Sequence, residues 1–310
     1  MKVVICSTRN WYKYISVLIY ALLKHNRVKK IYLIIEDDSI PELKDKRIKF
    51  ININKTKEYI TKQSPNYNTK YSKMSYVRCY FSKLINEDKV LYLDADALVV
   101  SNLYGLWQMN MSNYAVAGVK EPGKWDRHLK IEGMDDSYIN SGVMIMNLNY
   151  IREHQLDDKM IELLNNNYYE YPDQDVINIV CKGQIQYLCN IYNSTETTGI
   201  VENAKIIHYI RERKGWIPGS PRSEIWFKYY YEMIFKGENM KYKCIVLEDF
   251  TYSKANEFID IVKNGKDNCR VKGDIFICKK EAAMLLSNQK QNPANKVVIK
   301  VIEVIPGGEE

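Results

Sequence analysis

The chain contains several short segments made almost entirely of apolar residues, each followed by polar or turn-forming residues. The earliest two, Val3–Cys6 and Ile31–Ile35, are separated by a stretch at 12–24 in which the apolar residues have helical spacing. A strand that is apolar on both faces must be buried on both faces, as happens in a parallel sheet covered by helices. Strand, helix and strand in this order predict an α/β fold with right-handed crossovers.

This pattern continues to about residue 216 and then changes. Further strands are predicted at 49–53, 89–93, 114–119, 141–148, 185–188 and 205–210, and helices at 72–86 and 157–166. After Trp216 come a turn-rich segment, an aromatic helix at 223–236, and a region with two or three strands and two short helices. We therefore predict a main α/β domain over 1–240, with the aromatic helix at its end, and a small α+β module over 241–310.

The segment LYLDADALVV places two carboxylates where an apolar strand stops. Alternate side chains of a strand project to the same side, so Asp94 and Asp96 are expected to project together. Ligands of α/β sheets bind at the carboxyl ends of strands. Because two adjacent carboxylates repel unless a cation lies between them, and hard oxygen ligands suit Mg²⁺ or Mn²⁺, a metal site is predicted. A strand-end turn with two solvated aspartates is the alternative.

Arg78 lies on the apolar stripe of the helix predicted at 72–86. An unpaired charge on a buried face is costly, so this arginine needs an anionic or polar partner. The alternative is an arginine at the edge of the stripe, whose stem is buried and whose guanidinium reaches water.

Several motifs occur in a definite order. They are an N-terminal strand followed by Asn10, the helix containing SYVR, KVLYLDADALVV, YINSGVMIMNL, YPDQDVIN and HYIRERKGW. Together they resemble glycosyltransferase family 8, the family of the lipopolysaccharide galactosyltransferases and of glycogenin, over about residues 1–216. The resemblance implies a GT-A-type nucleotide-diphospho-sugar transferase fold with a mixed central sheet.

The resemblance also implies a metal site and a leaving-group site. Asp94, Asp96 and His208 would bind the cation. Mn²⁺ is expected, with Mg²⁺ as the alternative, because imidazole is a poor magnesium ligand. Without the resemblance, a lone histidine is expected to be structural. Lys214, in the loop after His208, would stabilise the departing diphosphate, where negative charge grows as the glycosyl bond breaks.

Donor contacts and catalytic groups are implied in the same way. The donor-binding residues would be Cys6, Thr8, Asn10, Arg78, Asp94, Ala95, Asn140, Ser141, Arg211 and Lys214. The catalytic residues would be Asp173, Gln174 and Lys214, with Gln174 near the reacting carbon. For Asp173, an N-cap of the helix that follows is the structural alternative, and both roles can coexist.

The sequence departs from the family pattern at three positions. Thr8 stands where the family often has an aspartate that accepts a hydrogen bond from uracil. Arg211 replaces the usual glycine of the loop after His208, and its guanidinium is suited to binding phosphate itself. Gly215 replaces the usual proline, which is expected to loosen the loop.

The predicted function is transfer of a hexose, with retention of the anomeric configuration, from UDP-glucose or UDP-galactose. The acceptor would be a hydroxyl of a saccharide, glycolipid or glycoprotein. The amide of Gln174 is a poor nucleophile, so front-face attack is expected, with the departing phosphate as base. A sugar-phosphate nucleotidyltransferase is the alternative enzyme class, although CSTRNWYK lacks the glycine-rich loop typical of that class. A catalytically weak protein that binds a sugar nucleotide is the non-enzymatic alternative.

Charge and cysteine content bear on partners and location. The basic residues lie in short, dispersed runs, and the net charge is +7. A positive balance of this kind favours anionic ligands or surfaces. Given the resemblance, no nucleic-acid partner is expected. Seven cysteines without a C-x-x-C pair predict free thiols in a reducing compartment, and the N-terminal apolar run is too short for a signal peptide. A cytoplasmic protein is predicted. The aromatic helix either packs on the fold or makes a peripheral contact at the inner membrane face.

Overall fold

A computed structural model describes residues 1–37, 43, 45–67, 69, 71, 73–121, 131, 138–217, 220–234, 240–246, 275–277 and 299–306. The chain divides into two compact units, residues 1–214 and 215–310. This division falls before the aromatic helix, which is predicted to lie at the end of the main domain. The extent of the functional domain, 1–240, stays a prediction.

The first unit is built on a seven-stranded sheet and a separate two-stranded sheet. The strands are β1 (Lys2–Ser7), β2 (Lys30–Ile35), β3 (Ile48–Asn52), β4 (Lys89–Leu93), β5 (Ala97–Val99), β6 (Val116–Lys120), β7 (Ile139–Asn147), β8 (Ile185–Leu188) and β9 (Ile206–His208). The large sheet has the order β3-β2-β1-β4-β7-β6-β8. Its strands are parallel except β7, which runs antiparallel to both of its neighbours. The mixed α/β sheet predicted from the sequence is confirmed.

Helices cover both faces of this sheet, as the apolar runs require. They are α1 (Tyr12–His25), α2 (Lys73–Tyr76), α3 (Phe81–Leu84), α4 (Tyr104–Trp107), α5 (Leu148–Glu153), α6 (Leu156–Asn166) and α7 (Pro172–Val180). Val3 and Ile5 of β1 pack into one core cluster with apolar residues of α1, whereas Val4 packs into the other with residues of α6 and α7. Successive side chains of a strand point to opposite faces, so one short apolar run contributes to two cores.

The helix predicted at 72–86 is interrupted. The described residues form α2, a 3-10 turn at Val77–Tyr80, and α3. Nε of Arg78 donates to the carbonyl oxygen of Ser75 at 3.0 Å, so a side chain uses a carbonyl that a regular helix would pair with a backbone N–H. A stretch of 3-10 helix inside an α-helix often marks a functional hinge or a strained sequence.

The second unit contains α8 (Ser223–Ile234) and an antiparallel sheet of β10 (Met240–Val246), β11 (Ile275–Ile277) and β12 (Ile299–Pro306). The two short helices predicted in the module lie outside the described residues. Trp226 and Tyr229 of α8 are buried, and Trp226 stacks on Tyr230. Packing of the aromatic helix on the main domain and a peripheral membrane contact both stay predictions.

Two further predictions from composition can be compared with the described residues. Cys6, Cys79 and Cys181 are buried free thiols, as expected, whereas the free thiol Cys189 is exposed. Burial raises the pKa of Cys181 to about 12, so its thiol stays protonated at neutral pH. Within the described part of the chain, no helix combines the length and the apolar character needed to cross a bilayer.

Candidate active site

A cavity of about 720 Å³ lies in the first unit where the parallel strands end. It is lined by residues that follow β1, β4, β6 and β9, together with residues at the start of β7 and α7. The predicted site residues that line it are Cys6, Thr8, Arg78, Asp94, Ala95, Asp96, Asn140, Ser141, Asp173, Gln174, His208, Arg211 and Lys214. Asn10 is exposed and does not line the cavity, but its neighbour Trp11 does.

Asp94 and Asp96 converge through a turn, which corrects the expectation that they alternate along one strand. Strand β4 ends at Leu93, and the N–H of Ala97 donates to the carbonyl oxygen of Asp94 at 3.0 Å, closing a four-residue turn. The N–H of Asp94 donates to the carbonyl oxygen of Gly142 at 2.8 Å. The turn therefore holds both carboxylates beside the start of β7.

His208 reaches these carboxylates because β9 pairs with β5. Ala97, the first residue of β5, lies opposite His208 in this antiparallel pair. Nε2 of His208 lies 3.1 Å from Oδ1 of Asp96 and 3.6 Å from Oδ2 of Asp94. One potential ligand atom from each of the three residues lies within 4.8 Å of the others.

This donor set fits a divalent cation. It combines two hard carboxylate oxygens with an imidazole nitrogen, and it lies in a cavity deep enough to bury His208. Burial alone would raise the pKa of Asp96, but His208 and Lys214 outweigh it and hold the pKa below its usual value. Asp96 is therefore ionised at neutral pH, as a metal ligand must be.

Arg78 lies beneath the carboxylates and contacts two of them. Nη2 is 2.8 Å from Oδ1 of Asp94, and Nε is 3.2 Å from Oδ2 of Asp173. Nη1 donates to the carbonyl oxygen of Ser141 at 3.0 Å. The side chain is only 7% exposed, so the guanidinium does not reach water as the structural alternative required. Arg78 therefore joins a predicted metal ligand to the first turn of α7.

Asp173 and Gln174 occupy the first turn of α7. The helix begins at Pro172, so Asp173 lies inside it and is not the N-cap. Burial raises the pKa of Asp173, and Arg78 opposes that rise. Oε1 of Gln174 accepts the N–H of Ser141 at 3.0 Å, and its Nε2 donates to the hydroxyl of Tyr138 at 3.2 Å. The amide of Gln174 is thus held in one orientation.

The loop after β9 brings Lys214 and Arg211 to the cavity. Nζ of Lys214 contacts the carboxylate of Asp96 and lies 5.1 Å from the ring centroid of Trp11. Arg211 has φ 56°, in the left-handed region where a non-glycine residue is strained. This is the position at which the family resemblance expects glycine. The loop thus keeps a conformation suited to glycine while carrying a guanidinium.

Sequence reasoning missed Trp11, Glu121, Asn193 and Thr197. Glu121 directly follows β6, as Asp94 follows β4, so its position after an apolar strand was a usable signal. Its Oε1 accepts Nδ2 of Asn140 at 2.9 Å and Oγ1 of Thr197 at 3.2 Å. Asn193 and Thr197 lie in a polar loop before β9, and nothing in their spacing predicts their place in the fold.

Comparisons with known proteins agree with this arrangement. The family model for glycosyl transferase family 8 matches residues 2–218. A protein of Haemophilus influenzae is 29% identical over 252 residues, covering 70% of this chain and 73% of its own length. The lipopolysaccharide 1,2-glucosyltransferase of Escherichia coli is 29% identical over 169 residues, covering 47% of this chain and 50% of its own length.

Solved structures show the same fold. The galactosyltransferase LgtC, in complex with donor and acceptor sugar analogs, gives a TM-score of 0.63 at 19% identity, covering 83% of this chain and all of the LgtC chain. At this identity the likeness concerns the fold, and it confirms the predicted GT-A architecture.

Proposed function

The chain belongs to glycosyl transferase family 8, and from that membership and the geometry of its cavity we propose that it is a metal-dependent hexosyltransferase. In this proposal it moves a hexose from UDP-glucose or UDP-galactose to a hydroxyl of a saccharide, glycolipid or glycoprotein, with retention of configuration. One observation carries the proposal. Asp94, Asp96 and His208 converge in a single cavity with Arg78, Asp173 and Gln174.

Asp94, Asp96 and His208 would hold the cation, for which we propose Mn²⁺. When bound, such an ion supplies Lewis-acid stabilisation of the diphosphate leaving group. Arg78 keeps the carboxylate of Asp94 fixed through a charge-assisted hydrogen bond, so that one ligand is already placed before the donor arrives. Lys214 and Arg211 add positive charge on the loop that lines the same cavity.

Retention requires either a covalent intermediate or attack from the face that the leaving group vacates. Gln174 is held by Ser141 and Tyr138 and offers only an amide. Asp173 is engaged by Arg78 and by the hydroxyl of Ser141 at 3.1 Å. Oxygens of Glu121 accept from Asn140, Thr197 and Gln174. These contacts support front-face attack, with the departing phosphate as base.

The proposed function is tested by incubating the full-length protein with Mn²⁺ and a panel of UDP-sugars, and measuring UDP release. Release is expected with at least one UDP-hexose, faster with Mn²⁺ than with Mg²⁺, abolished by EDTA and restored by excess Mn²⁺. The Asp96→Asn variant, similar in shape, should release no UDP above background. Unchanged Mn²⁺-dependent turnover in that variant would exclude the proposed metal site.

Two further measurements, of UDP binding and of pyrophosphate release, separate the alternatives. Binding of UDP without release from any donor indicates a sugar-nucleotide-binding protein. Release of pyrophosphate from UTP and a sugar 1-phosphate indicates a nucleotidyltransferase.

Replacing Lys214 with methionine is expected to lower kcat about 100-fold, because an ammonium that stabilises the departing diphosphate is lost. Mn²⁺ affinity should not fall, because Lys214 is not one of the proposed ligands. Single-turnover UDP release and Mn²⁺ titration measure the two quantities. Lys205→Met is the matched control, since Lys205 lies on the ring of Tyr192 and does not line the cavity. A kcat equal to that of the wild type would remove Lys214 from the mechanism.

A further inference from the structure

A row of hydrogen-bonded side chains runs from Glu121 to the proposed metal site. Nδ2 of Asn140 donates to Oε1 of Glu121 at 2.9 Å, and Nδ2 of Asn193 donates to Oδ1 of Asn140 at 2.8 Å. Oδ1 of Asn193 lies 2.9 Å from Nδ1 of His208. Asn140, Asn193 and His208 are all buried, and Asn193 has no exposed surface. The contacts that Asn193 makes with Asn140 and His208 are therefore buried.

The donor and the acceptor of each hydrogen bond in this row are fixed by its two neighbours. The Glu121 carboxylate accepts hydrogen bonds, so Asn140 must present its NH₂ group to it. Independently, the backbone N–H of Gly142 donates to Oδ1 of Asn140 at 3.0 Å, and a backbone N–H cannot accept. The carbonyl of Asn140 therefore receives the NH₂ group of Asn193. The carbonyl of Asn193 must then face His208, and Nδ1 of His208 must carry the proton.

The position of that proton decides what the other ring nitrogen can do. With the proton on Nδ1, Nε2 of neutral His208 presents a lone pair towards Asp94 and Asp96. Three groups that accept but do not donate then face one another, an arrangement that suits a divalent cation. With the proton on Nε2, the ring would donate to Oδ1 of Asp96, 3.1 Å away. That hydrogen bond would occupy the two atoms that are proposed to bind the cation.

The backbone holds Asn193 in register with His208. The N–H of Ser194 donates to the carbonyl of Ile206 at 3.0 Å, and the N–H of His208 donates to the carbonyl of Ser194 at 3.1 Å. Ser194 also forms a parallel bridge with Ile207. Because this pairing uses only main-chain groups, the side chain of residue 193 can be changed without removing the contact between the two segments.

We infer that Asn193 is a positioning residue that selects the metal-binding tautomer of His208, an inference that rests on the proposed metal-dependent function. Asn193 fixes the proton on Nδ1 and so keeps Nε2 available as a ligand. Glu121 and Asn140 fix the orientation of Asn193. Hydrogen bonds to the distal nitrogen of a metal-binding histidine generally raise metal affinity, and removing them typically costs 10–100-fold.

The tautomer can be observed without any metal. The chain has only four histidines, so two-bond ¹H–¹⁵N correlation spectra of the metal-free protein at pH 8 resolve each ring, with His208→Gln identifying the signals of His208. In the wild type we expect the Nδ1–H form. In Asn193→Leu, we expect a shift towards the Nε2–H form, because Asp96 is then the nearest acceptor.

Mn²⁺ affinity, measured by electron paramagnetic resonance of the free ion, is the second readout. Asn193→Leu should weaken binding about 10–100-fold. Asn193→Asp keeps an acceptor at Nδ1, so it should retain the Nδ1–H tautomer and restore most of the affinity. Asn66→Leu is the matched control. Asn66 is also fully buried, but it bonds to the carbonyls of Leu164 and Asn167 outside the cavity. That variant should lose stability without changing either readout.

The outcomes separate this inference from the function on which it rests. An unchanged tautomer or an unchanged Mn²⁺ affinity in folded Asn193→Leu overturns the role of Asn193. If that variant does not fold, loss of the Nδ1–H form in Asn193→Asp overturns it instead. Failure of the wild type to bind Mn²⁺ overturns the proposed metal site, whereas the metal-free spectra still decide whether Asn193 sets the tautomer.

Discussion

Gly142→Ala is expected to abolish Mn²⁺ binding and to lower kcat/KM at least about 1,000-fold, equivalent to about 4 kcal/mol. A Cβ atom on residue 142 would lie 2.1 Å from Cε1 of His208 and 2.7 Å from Oδ2 of Asp94, far inside van der Waals contact. The carbonyl oxygen of Gly142 accepts the N–H of Asp94 at 2.8 Å, and its own N–H donates to Oδ1 of Asn140 at 3.0 Å, so both main-chain groups are engaged and the backbone has little freedom to retreat. The His208 ring and the Asp94 carboxylate must therefore move apart, and the ligand set is lost.

Mn²⁺ titration and UDP release measure this effect, while circular dichroism checks that the variant is folded. Gly105→Ala is the control, because a Cβ there meets no atom within 4 Å and alanine favours the helix α4 in which Gly105 lies. It should bind Mn²⁺ as the wild type does. Wild-type Mn²⁺ affinity in folded Gly142→Ala would show that the ion is bound elsewhere.

Arg78→Met should be the most destabilising single change in the site and should also abolish turnover. It leaves Asp94 and Asp173 without the buried cation that both contact. Removing one partner of a buried ion pair typically costs about 3–5 kcal/mol, because the remaining charge is uncompensated. For a unit of about this size, that loss corresponds to a fall in Tm of about 10 °C. Thermal unfolding followed by circular dichroism measures it.

The free energy of unfolding that Arg78→Met loses relative to the wild type should become smaller as the pH is lowered. Burial already raises the pKa of Asp173 in the folded protein, against the opposing effect of Arg78. A carboxyl group whose folded pKa exceeds its unfolded pKa destabilises the fold at high pH, and that penalty falls as the pH is lowered through the folded pKa. Without Arg78 the rise is larger, so the stability deficit should shrink between pH 7 and pH 5.

Urea unfolding between pH 7 and pH 5 measures the free energy of unfolding of the wild type and of the variant, and the difference between them is the stability deficit. Arg152→Met is the matched control, because the guanidinium of Arg152 binds the backbone carbonyls of Ser82, Ile85 and Glu87. Its deficit should stay nearly constant with pH. A deficit of Arg78→Met that grows on acidification would contradict the assignment of carboxylates as the partners of Arg78.

Patterns local to the chain were sufficient for most of the fold. Apolar runs identified β1, β2, β4, β6 and β7, because a strand that is buried on both faces carries apolar residues at nearly every position. They also placed Asp94 and Asp96 at a strand end, and motif resemblance added His208 and Lys214. The interrupted helix at 73–84 was missed, because a side chain that takes a backbone carbonyl leaves no periodic signal.

Contacts between residues that are far apart in the sequence could not be predicted from it. The sequence by itself determined which residue types reach the ends of the strands, since apolar periodicity and chain order are local properties. Only the tertiary structure decided their partners. The pairing of β5 with β9 set His208 against Asp96, the turn after β4 replaced the expected strand alternation, and the loop before β9 brought Asn193 to Nδ1 of His208. Such partners depend on strand order and on the path of loops in space, and no fixed spacing along the chain encodes either.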